Sequence, residues 1–442
     1  MVIDQLHCPM SYAVYKFQPE VMQFSACCDA RTYEFDRDLF DALGDDYFEK
    51  HPKLVKRKED LYKNIRNSDC EQCWMKEDEG LRSMRQQYSH EWKMINTRRD
   101  LKVDLAYPGR IELWMNSTCN LGCFMCHLGN SNTLRKIWHK DYDHFGNDGV
   151  GWENWTGDMH GSAPGYRKRF EESMLKFVIK ALNECPNKEL VISYLGGEPT
   201  LHSEMYDHAD LFIEAGKAAL ERGCVLKIEI TTNGTSKDRL NERFYRMFEK
   251  YKSAGWVTRI MLSQDAANEQ AQVRWGADFP QIRRNFGNWI HPDSSIDHVT
   301  TFTVVSALNL PYMDDMADYI HGEIVNNYDG KKNLTLNFNT LIMPKWMRVR
   351  HLPRRFAIEA AAHATTLYGE IVERWPHVNY QEVLFKNIVS TLKERPAEED
   401  MQFFFEALDY TNRVYQKQDA NWDFYKQFPH LNEVKAMYRG DQ

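Results

Sequence analysis

The chain has 442 residues, 43% of them hydrophobic and 27% charged, which is the usual balance of a globular protein with two or three domains. It contains no run of about 18 apolar residues, so the sequence predicts no membrane-spanning helix and no membrane partner. Its 56 basic and 64 acidic residues give a net charge of −8, which disfavours a protein whose main role is to coat nucleic acid.

The ten cysteines are the first specific clue. They are too dilute for a small disulfide scaffold, and residues 1–5 lack the basic start and apolar stretch of a secretory leader. Seven or eight of them fall into two groups spaced like metal ligands, an arrangement that a reducing cytoplasm permits. Cys185 and Cys224 stand apart, and we expect them to be ordinary buried thiols at a helix end and before a strand.

In chain order, the lysine-rich stretch 51–66 predicts a solvated helix within a first region of mixed polarity. Residues 105–345 then alternate short β-branched runs with amphipathic segments, including a helix predicted over 169–183. Six strands separated by helices indicate an α/β fold with a parallel sheet, either open or curled into a partial barrel. The predicted strands are 110–115, 190–194, 226–231, 257–262, 298–305 and 334–341.

Few strand signals remain after residue 345, and helices are predicted over 356–374, 381–394 and 398–418. In the last of these, Phe404, Leu408 and Tyr415 share one face, as core residues do. We therefore divide the chain into an N-terminal domain, 1–100, a barrel, 105–345, and a C-terminal helical region, 346–442. The connection 129–166 is long enough to predict a lid or binding loop without structure of its own.

Cys119, Cys123 and Cys126 form a C-x3-C-x2-C pattern shortly after the first predicted strand. Three thiolates on one short loop can face a common centre, and an iron–sulfur cubane with one open iron fits three ligands. A four-ligand zinc site completed by His127 is the alternative. For His127 itself, we expect a local hydrogen bond to the loop.

This pattern resembles the signature of the radical S-adenosylmethionine (SAM) superfamily, and the ends of the following strands agree with it over about 110–345. Gly196, Gly197, Glu198 and Pro199 resemble the family's Gly-Gly-Glu-Pro motif. Residues 230–234 and 261–266 are similar to its Thr-Asn-Gly segment and its "S-x-D-G" strand end. Arg274 follows at the spacing of an arginine that family members use on the SAM carboxylate.

The resemblance implies a partial (β/α)6 TIM-type barrel that binds a 4Fe–4S cluster through the three cysteines. In this family the cluster passes one electron to SAM, and the resulting 5′-deoxyadenosyl radical abstracts hydrogen from a substrate. It also implies a reductant such as flavodoxin or ferredoxin. Glu198 would hold the amino group of SAM and Arg274 its carboxylate. The cofactor-binding residues implied are Gly196, Gly197, Glu198, Thr232, Asn233, Ser263 and Arg274.

A second group precedes the barrel, and its members are Cys8, Cys27, Cys28, Cys70 and Cys73. The group resembles the SPASM and twitch modules that bind an auxiliary iron–sulfur cluster in many radical SAM maturases, here placed N-terminally. That likeness implies a second cluster, held by four of these cysteines, and a peptide or protein substrate. Structural zinc or unligated thiols are alternatives for the site, and a small molecule or nucleotide for the substrate. A different class is an electron-transfer iron–sulfur protein that does not turn over SAM.

Overall fold

The structure of the protein is a computed structural model, and a single sheet lies at its centre. The structure describes residues 8, 10–27, 30–78, 83–86, 108–138, 164–185, 188–341, 344–380, 388–389, 392 and 396–439. These residues form one sheet in the order β2-β1-β3-β4-β5-β6-β7-β8-β9. Only β1 and β2 run antiparallel, and the other neighbouring strands are parallel. The α/β class is therefore confirmed, and the parallel sheet is consistent with a partial TIM-type barrel.

The strands follow the predicted order closely. Their bounds are Val14–Gln18 (β1), Gln23–Ser25 (β2), Arg110–Leu113 (β3), Glu189–Tyr194 (β4), Val225–Thr232 (β5), Val257–Ser263 (β6), His298–Val305 (β7), Asn333–Thr340 (β8) and Asn379–Tyr380 (β9). The six predicted strands are β3 to β8, whereas β1, β2 and β9 were not predicted. Because β1 pairs with β3, from Val14 opposite Arg110 onward, part of the first 100 residues extends the sheet. The division into three domains stays a prediction.

Helices connect the parallel strands and surround the sheet. Within the described residues they are Met10–Ala13, Arg37–Leu43, Tyr47–Lys50, Pro52–Tyr62, Glu71–Asp78, Asn132–Trp138, Pro164–Glu184, Ser203–Asp207, Ala209–Glu221, Asp238–Ser253, Phe279–Ile290, Met313–Asn327, Arg354–Arg374, Glu398–Gln416, Phe424–Gln427 and His430–Arg439. The helices predicted at 51–66, 169–183, 356–374 and 398–418 are all present, and 381–394 lies almost wholly outside the described residues. None of the described helices is long and apolar enough to cross a membrane.

The connection 129–166 differs from the prediction of a structureless loop. It opens with the 3-10 turn Leu128–Asn130 and the helix Asn132–Trp138, which buries Leu134, Ile137 and Trp138. This segment is anchored because Asn132 N donates to Ser117 O at 2.8 Å. Residues 139–163 lie outside the described part of the chain, so the predicted lid concerns that stretch alone.

The two faces of the sheet differ in polarity. Leu226, Ile260 and Leu262 are fully buried on the helix-covered face, where Gly216 and Gly234 let neighbouring backbone approach Leu226 and Leu262. Residues paired across parallel strands share a face, and one such row on the opposite face is polar. Its members are Lys16, Glu112, Ser193, Glu229, Arg259, His298 and Asn333.

Glu229 lies at the centre of this polar row. Its carboxylate pairs with Arg110 and, at 3.3 Å, with Arg259, and it accepts a hydrogen bond from Ser193 Oγ at 3.0 Å. Burial raises the pKa of Glu229, but the two guanidinium groups and the hydroxyl outweigh burial and lower that pKa to about 2. The face that carries the polar row, called the inner face below, is therefore charged near neutral pH, with the carboxylate of Glu229 paired to the two arginines.

Candidate active site

The C-x3-C-x2-C cysteines lie on the loop that leaves the carboxyl end of β3. Cys123 is buried, and Cys119 and Cys126 are half-buried. The loop is held by its backbone: Gly122 N donates to Trp275 O at 3.0 Å, and Phe124 N donates to Val273 O at 3.3 Å. The three thiols are thus fixed at the carboxyl edge of the sheet, where parallel α/β folds place their chemistry.

Burial controls the protonation of these thiols. It raises the pKa of Cys119, raises that of Cys126 to about 12, and raises that of Cys123 further, while the charge of Arg274 opposes each shift. Such thiols stay protonated at neutral pH unless a positively charged centre binds them as thiolates. Three sulfur donors on one buried loop are the donor set of a 4Fe–4S cluster with an open iron.

No group of three or more His, Cys, Asp or Glu side chains in the described residues could hold a metal ion as the side chains stand. In a cubane each thiolate binds a different iron, so this finding concerns single ions. His127 Nδ1 accepts a hydrogen bond from Gly129 N at 3.1 Å, which is the local contact expected for it.

The Gly-Gly-Glu-Pro turn packs directly on the cysteine loop. Gly196 and Gly197 have φ of +81° and +57°, a region that glycine adopts without strain. A Cβ at Gly197 would lie 2.5 Å from Thr118 O, and one at Gly196 would lie 2.8 Å from the Trp114 ring. Glu198 N donates to Thr118 O at 2.8 Å. The turn therefore needs both glycines to bring its backbone against the loop.

Glu198 joins the ends of two strands. It is 1% exposed, and its Oε1 accepts from Thr200 N at 3.2 Å, Thr200 Oγ1 at 2.7 Å and Thr232 Oγ1 at 2.7 Å. Its Oε2 accepts from Asn233 N at 2.7 Å. The bond from Thr200 N caps the 3-10 turn Pro199–Leu201, a role that the sequence allows for Glu198 as an alternative to SAM binding. The bonds from Thr232 and Asn233 were not predicted, because they depend on β4 and β5 being neighbours. Contact between Glu198 and the amino group of SAM stays a prediction.

Asn233 extends the connection from the Thr-Asn-Gly segment back to the cysteine loop. Asn233 Nδ2 donates to Asn120 Oδ1 at 2.9 Å, and Asn120 Nδ2 donates to Thr235 Oγ1 at 2.8 Å. The loop, the Gly-Gly-Glu-Pro turn and the segment after β5 are thus linked by hydrogen bonds into one unit.

Arg274 is placed between the two residues that hold the loop backbone, Val273 and Trp275. Its Nε lies 2.7 Å from Asp265 Oδ2, in an ion pair without an aligned hydrogen bond. Burial lowers the pKa of Arg274, but Asp265 and the nearby thiols outweigh burial and the net shift is upward. Ser263, the last residue of β6, is half-buried. Both residues lie at the edge that carries the cysteine loop, and their contacts with SAM stay predictions.

Residues 115–306 match the family model of the radical SAM superfamily. This stretch of the chain is similar to radical SAM domains. That match spans the three loop cysteines, the Gly-Gly-Glu-Pro turn and Arg274. No curated protein is detectably similar to the chain in sequence.

Solved structures give distant matches to this chain. One is anSMEcpe with bound AdoMet, at 15% identity over 62% of this chain and 63% of that chain, with a TM-score of 0.36. Another is anSMEcpe with bound AdoMet and Cp18Cys peptide, at 15% identity over 61% and 62%, with a TM-score of 0.37. Streptococcus suis SuiB bound to S-adenosylmethionine matches at 13% identity over 79% and 67%, with a TM-score of 0.37. The chain thus spans less than two thirds of the length of anSMEcpe.

The C-terminal region contributes a residue to the cysteine-loop site that the sequence did not reveal. Tyr415 is fully buried, and its hydroxyl donates to Gly122 O at 2.7 Å. Its ring packs against Phe124 at 4.7 Å and Trp275 at 5.5 Å between centroids. The core stripe of Phe404, Leu408 and Tyr415 is confirmed, since all three are fully buried. The contact with Gly122 was hidden because the two residues are 293 positions apart.

The second cysteine group also comes together in space. Cys8, Cys27 and Cys70 share one buried cluster with Met10, Val14, Leu61 and Trp74. Cys73 is buried as well, and its charge and that of Cys8 act on Cys70. Burial raises the pKa of Cys70 to about 12, while Arg57 opposes that shift. Cys28 lies outside the described residues. Cys8, Cys27 and Cys70 therefore lie in one cluster beside the start of β1, with Cys73 close to Cys70.

Cys185 and Cys224 occupy the positions expected of them. Both are buried, Cys185 directly after the helix Pro164–Glu184 and Cys224 directly before β5. Their Sγ atoms lie 3.5 Å apart, a proximity that the sequence did not predict because it follows from β4 and β5 lying side by side.

Proposed function

We propose that the protein is a radical SAM enzyme that cleaves SAM reductively and abstracts hydrogen from a substrate. The observation that carries the proposal is the hydrogen-bonded unit of the cysteine loop, the Gly-Gly-Glu-Pro turn and the Thr-Asn-Gly segment, at the carboxyl edge of the sheet. Cys119, Cys123 and Cys126 would hold the 4Fe–4S cluster, which supplies the electron when bound. The reductant would be a small electron carrier such as flavodoxin or ferredoxin.

The protein's own residues prepare this edge for SAM. Gly196 and Gly197 let the turn pack closely on Trp114 and on the cysteine loop. The methionine part of SAM would lie along the backbone of this turn, beside the loop. Tyr415 packs its ring on Phe124 of the cysteine loop, and this aromatic surface would help to exclude water from the reacting groups. The paired charges of the polar row are fixed in place and favour a polar substrate over an apolar one.

Arg274→Ala is expected to weaken SAM binding about ten- to a hundredfold, since a charge-assisted contact contributes roughly 1.5–3 kcal/mol. The variant should keep its cluster, because the backbone bonds that hold the loop go to Val273 and Trp275 and the proposed iron ligands are the three thiols. A titration of the cluster-loaded protein with SAM measures the affinity, and the visible absorption of the cluster is the control. The matched control is Arg283→Ala. Arg283 lies on the helix Phe279–Ile290, and its substitution removes an ion pair with Glu323. Equal affinities in both variants would remove Arg274 from the SAM site.

The substrate we propose is a peptide or protein, modified as by maturases. The support is the convergence of Cys8, Cys27, Cys70 and Cys73 in one buried site, which gives the likeness to SPASM and twitch modules a spatial basis. A small molecule or nucleotide is the second candidate, favoured by the charged inner face around Glu229.

The proposed second cluster predicts about eight irons per chain after anaerobic reconstitution, the sum of two cubanes. Cys70→Ala should lower that number by about four and leave SAM cleavage at the barrel site measurable. Iron, sulfide and zinc are determined together in the same sample. Zinc at the second site, with iron confined to the barrel, would support the structural zinc alternative instead.

The experiment that tests the function is anaerobic reduction of the reconstituted protein with dithionite in the presence of SAM. A radical SAM enzyme forms methionine and 5′-deoxyadenosine, whereas an electron-transfer protein keeps its clusters and forms neither. Adding candidate peptides or nucleotides and following deuterium transfer into 5′-deoxyadenosine then distinguishes the two substrate classes.

A further inference from the structure

Arg57 is an unusual residue of the N-terminal region. It lies on the helix Pro52–Tyr62 and is completely buried. Within the part of the chain that the structure describes, none of its three guanidinium nitrogens has a hydrogen-bond partner. A buried charge without a partner costs several kcal/mol, so a fold that keeps Arg57 in this position calls for an anion that is not a side chain of the described residues.

The surroundings of Arg57 point to where that anion binds. Leu61, one turn further along the helix, packs in the cluster that contains Cys8, Cys27 and Cys70. The guanidinium carbon lies 5.7 Å from the centre of the Tyr33 ring, and Tyr33 Oη donates to Asp69 Oδ2 at 3.0 Å, next to Cys70. The charge of Arg57 acts on the Cys70 thiol. Arg57 and the cysteine site are therefore neighbours.

The acidic side chains nearby are committed elsewhere. Asp60 accepts from Lys56 Nζ at 3.1 Å and from Asn67 Nδ2 at 2.7 Å, and Asp69 accepts from Tyr33. Arg57 thus lies near the Cys70 thiol, and its guanidinium nitrogens have no hydrogen-bond partner in the described residues. A [4Fe–4S]2+ core with four thiolates carries a charge of about −2, and a zinc ion with four thiolates carries the same charge.

We propose that Arg57 is the counter-charge of the second cysteine site, binding through its guanidinium the anionic metal–thiolate centre that Cys8, Cys27, Cys70 and Cys73 form. This inference rests on the proposed function for the iron form of that centre. Arg57 acts as a positioning residue: it donates N–H groups toward sulfur and lowers the cost of placing negative charge in a buried site. Hydrogen bonds to sulfur and net charge are two of the factors that set the potential of an iron–sulfur cluster.

The test compares Arg57→Met and Arg57→Lys with Arg66→Met, a control that removes an exposed arginine of the same region paired with Asp78 at 2.7 Å. In iron-free protein, Arg57→Met should raise the unfolding temperature, because it removes an unpaired buried charge. In reconstituted protein, the same variant should lose iron from the second site to a chelator at least tenfold faster than wild type. Arg57→Lys should lose iron at a rate between those of wild type and Arg57→Met, since lysine keeps the charge but not the planar donors.

The second measurement is the reduction potential of the second cluster in Arg57→Met protein that still holds it. Removing a positive charge disfavours the more negative reduced state, so the potential of the second cluster should fall by about 59 mV, a tenfold change in the equilibrium constant for one electron. A redox titration followed by electron paramagnetic resonance separates this cluster from the barrel cluster.

Two failures are distinguishable. If Cys70→Ala changes neither the iron nor the zinc content, the proposed second centre is wrong. If Cys70→Ala removes the metal but Arg57→Met matches Arg66→Met in unfolding temperature, metal retention and potential, the centre stands and the role of Arg57 is overturned.

Discussion

Replacing any one of Cys119, Cys123 and Cys126 by alanine is expected to remove the barrel cluster and to abolish formation of 5′-deoxyadenosine. The loop offers three thiols, and loss of one leaves two ligands in a site whose thiols are otherwise protonated through burial. The barrel share of the iron, about four atoms per chain, should disappear with the activity. Both quantities are measured on protein reconstituted without oxygen.

Cys224→Ala is the matched control for Cys123→Ala, because both thiols are 7% exposed and Cys224 lies before β5, away from the cysteine loop. It should keep the full iron content and the full rate. A variant lacking all three loop cysteines that still contained barrel iron and cleaved SAM would refute the assignment of the site.

Gly197→Ala is expected to have the second largest effect. An alanine at φ +57° is strained by roughly 1–2 kcal/mol, and its Cβ would also lie 2.5 Å from Thr118 O and 2.9 Å from Asn116 O. Both obstacles are backbone oxygens of the segment that leads into the cysteine loop, so they can move only if the loop moves. SAM affinity should fall at least tenfold, and the cluster should become easier to lose.

Gly44→Ala separates backbone strain from collision. Gly44 has a similar φ of +53°, but no atom lies within 4 Å of the place that an alanine methyl group would take. The substitution should therefore lower stability by about 1 kcal/mol and leave SAM binding unchanged. SAM titration and thermal unfolding of both variants give the comparison. If Gly197→Ala behaves like Gly44→Ala, the turn does not press on the loop as described.

The local part of the site could be predicted from the sequence because each motif is continuous in the chain. The three loop cysteines, Gly196, Gly197 and the strands that precede them follow from spacing and β-branched runs. The strand β1 escaped prediction because it directly follows a four-residue helix, with no turn residue between the two to mark where the strand begins. The two-residue β9 is too short for any periodic signal.

The sequence could not show which contacts form between segments that are distant in the chain. The links from Glu198 to Asn233 and from Tyr415 to Gly122 exist only once the strands and the C-terminal helix are placed. Within the described residues, Arg57 is buried without a hydrogen-bond partner. The sequence could not show this, because the lysine-rich stretch that contains Arg57 predicts a solvated helix face. A motif can be recognised in a short stretch of sequence. Whether a buried polar group finds a hydrogen-bond partner depends on the whole fold.

The pairing of β1 with β3 determines how the two cysteine sites face the outside. Val14, the first residue of β1, packs with Cys8 and Cys70 and lies opposite Arg110, the first residue of β3. The C-x3-C-x2-C loop instead leaves the far end of β3. The two sites thus lie toward opposite ends of β1 and β3. Under the proposed function, a reductant that delivers electrons at the second cysteine site would leave the carboxyl end of the strands free for a substrate.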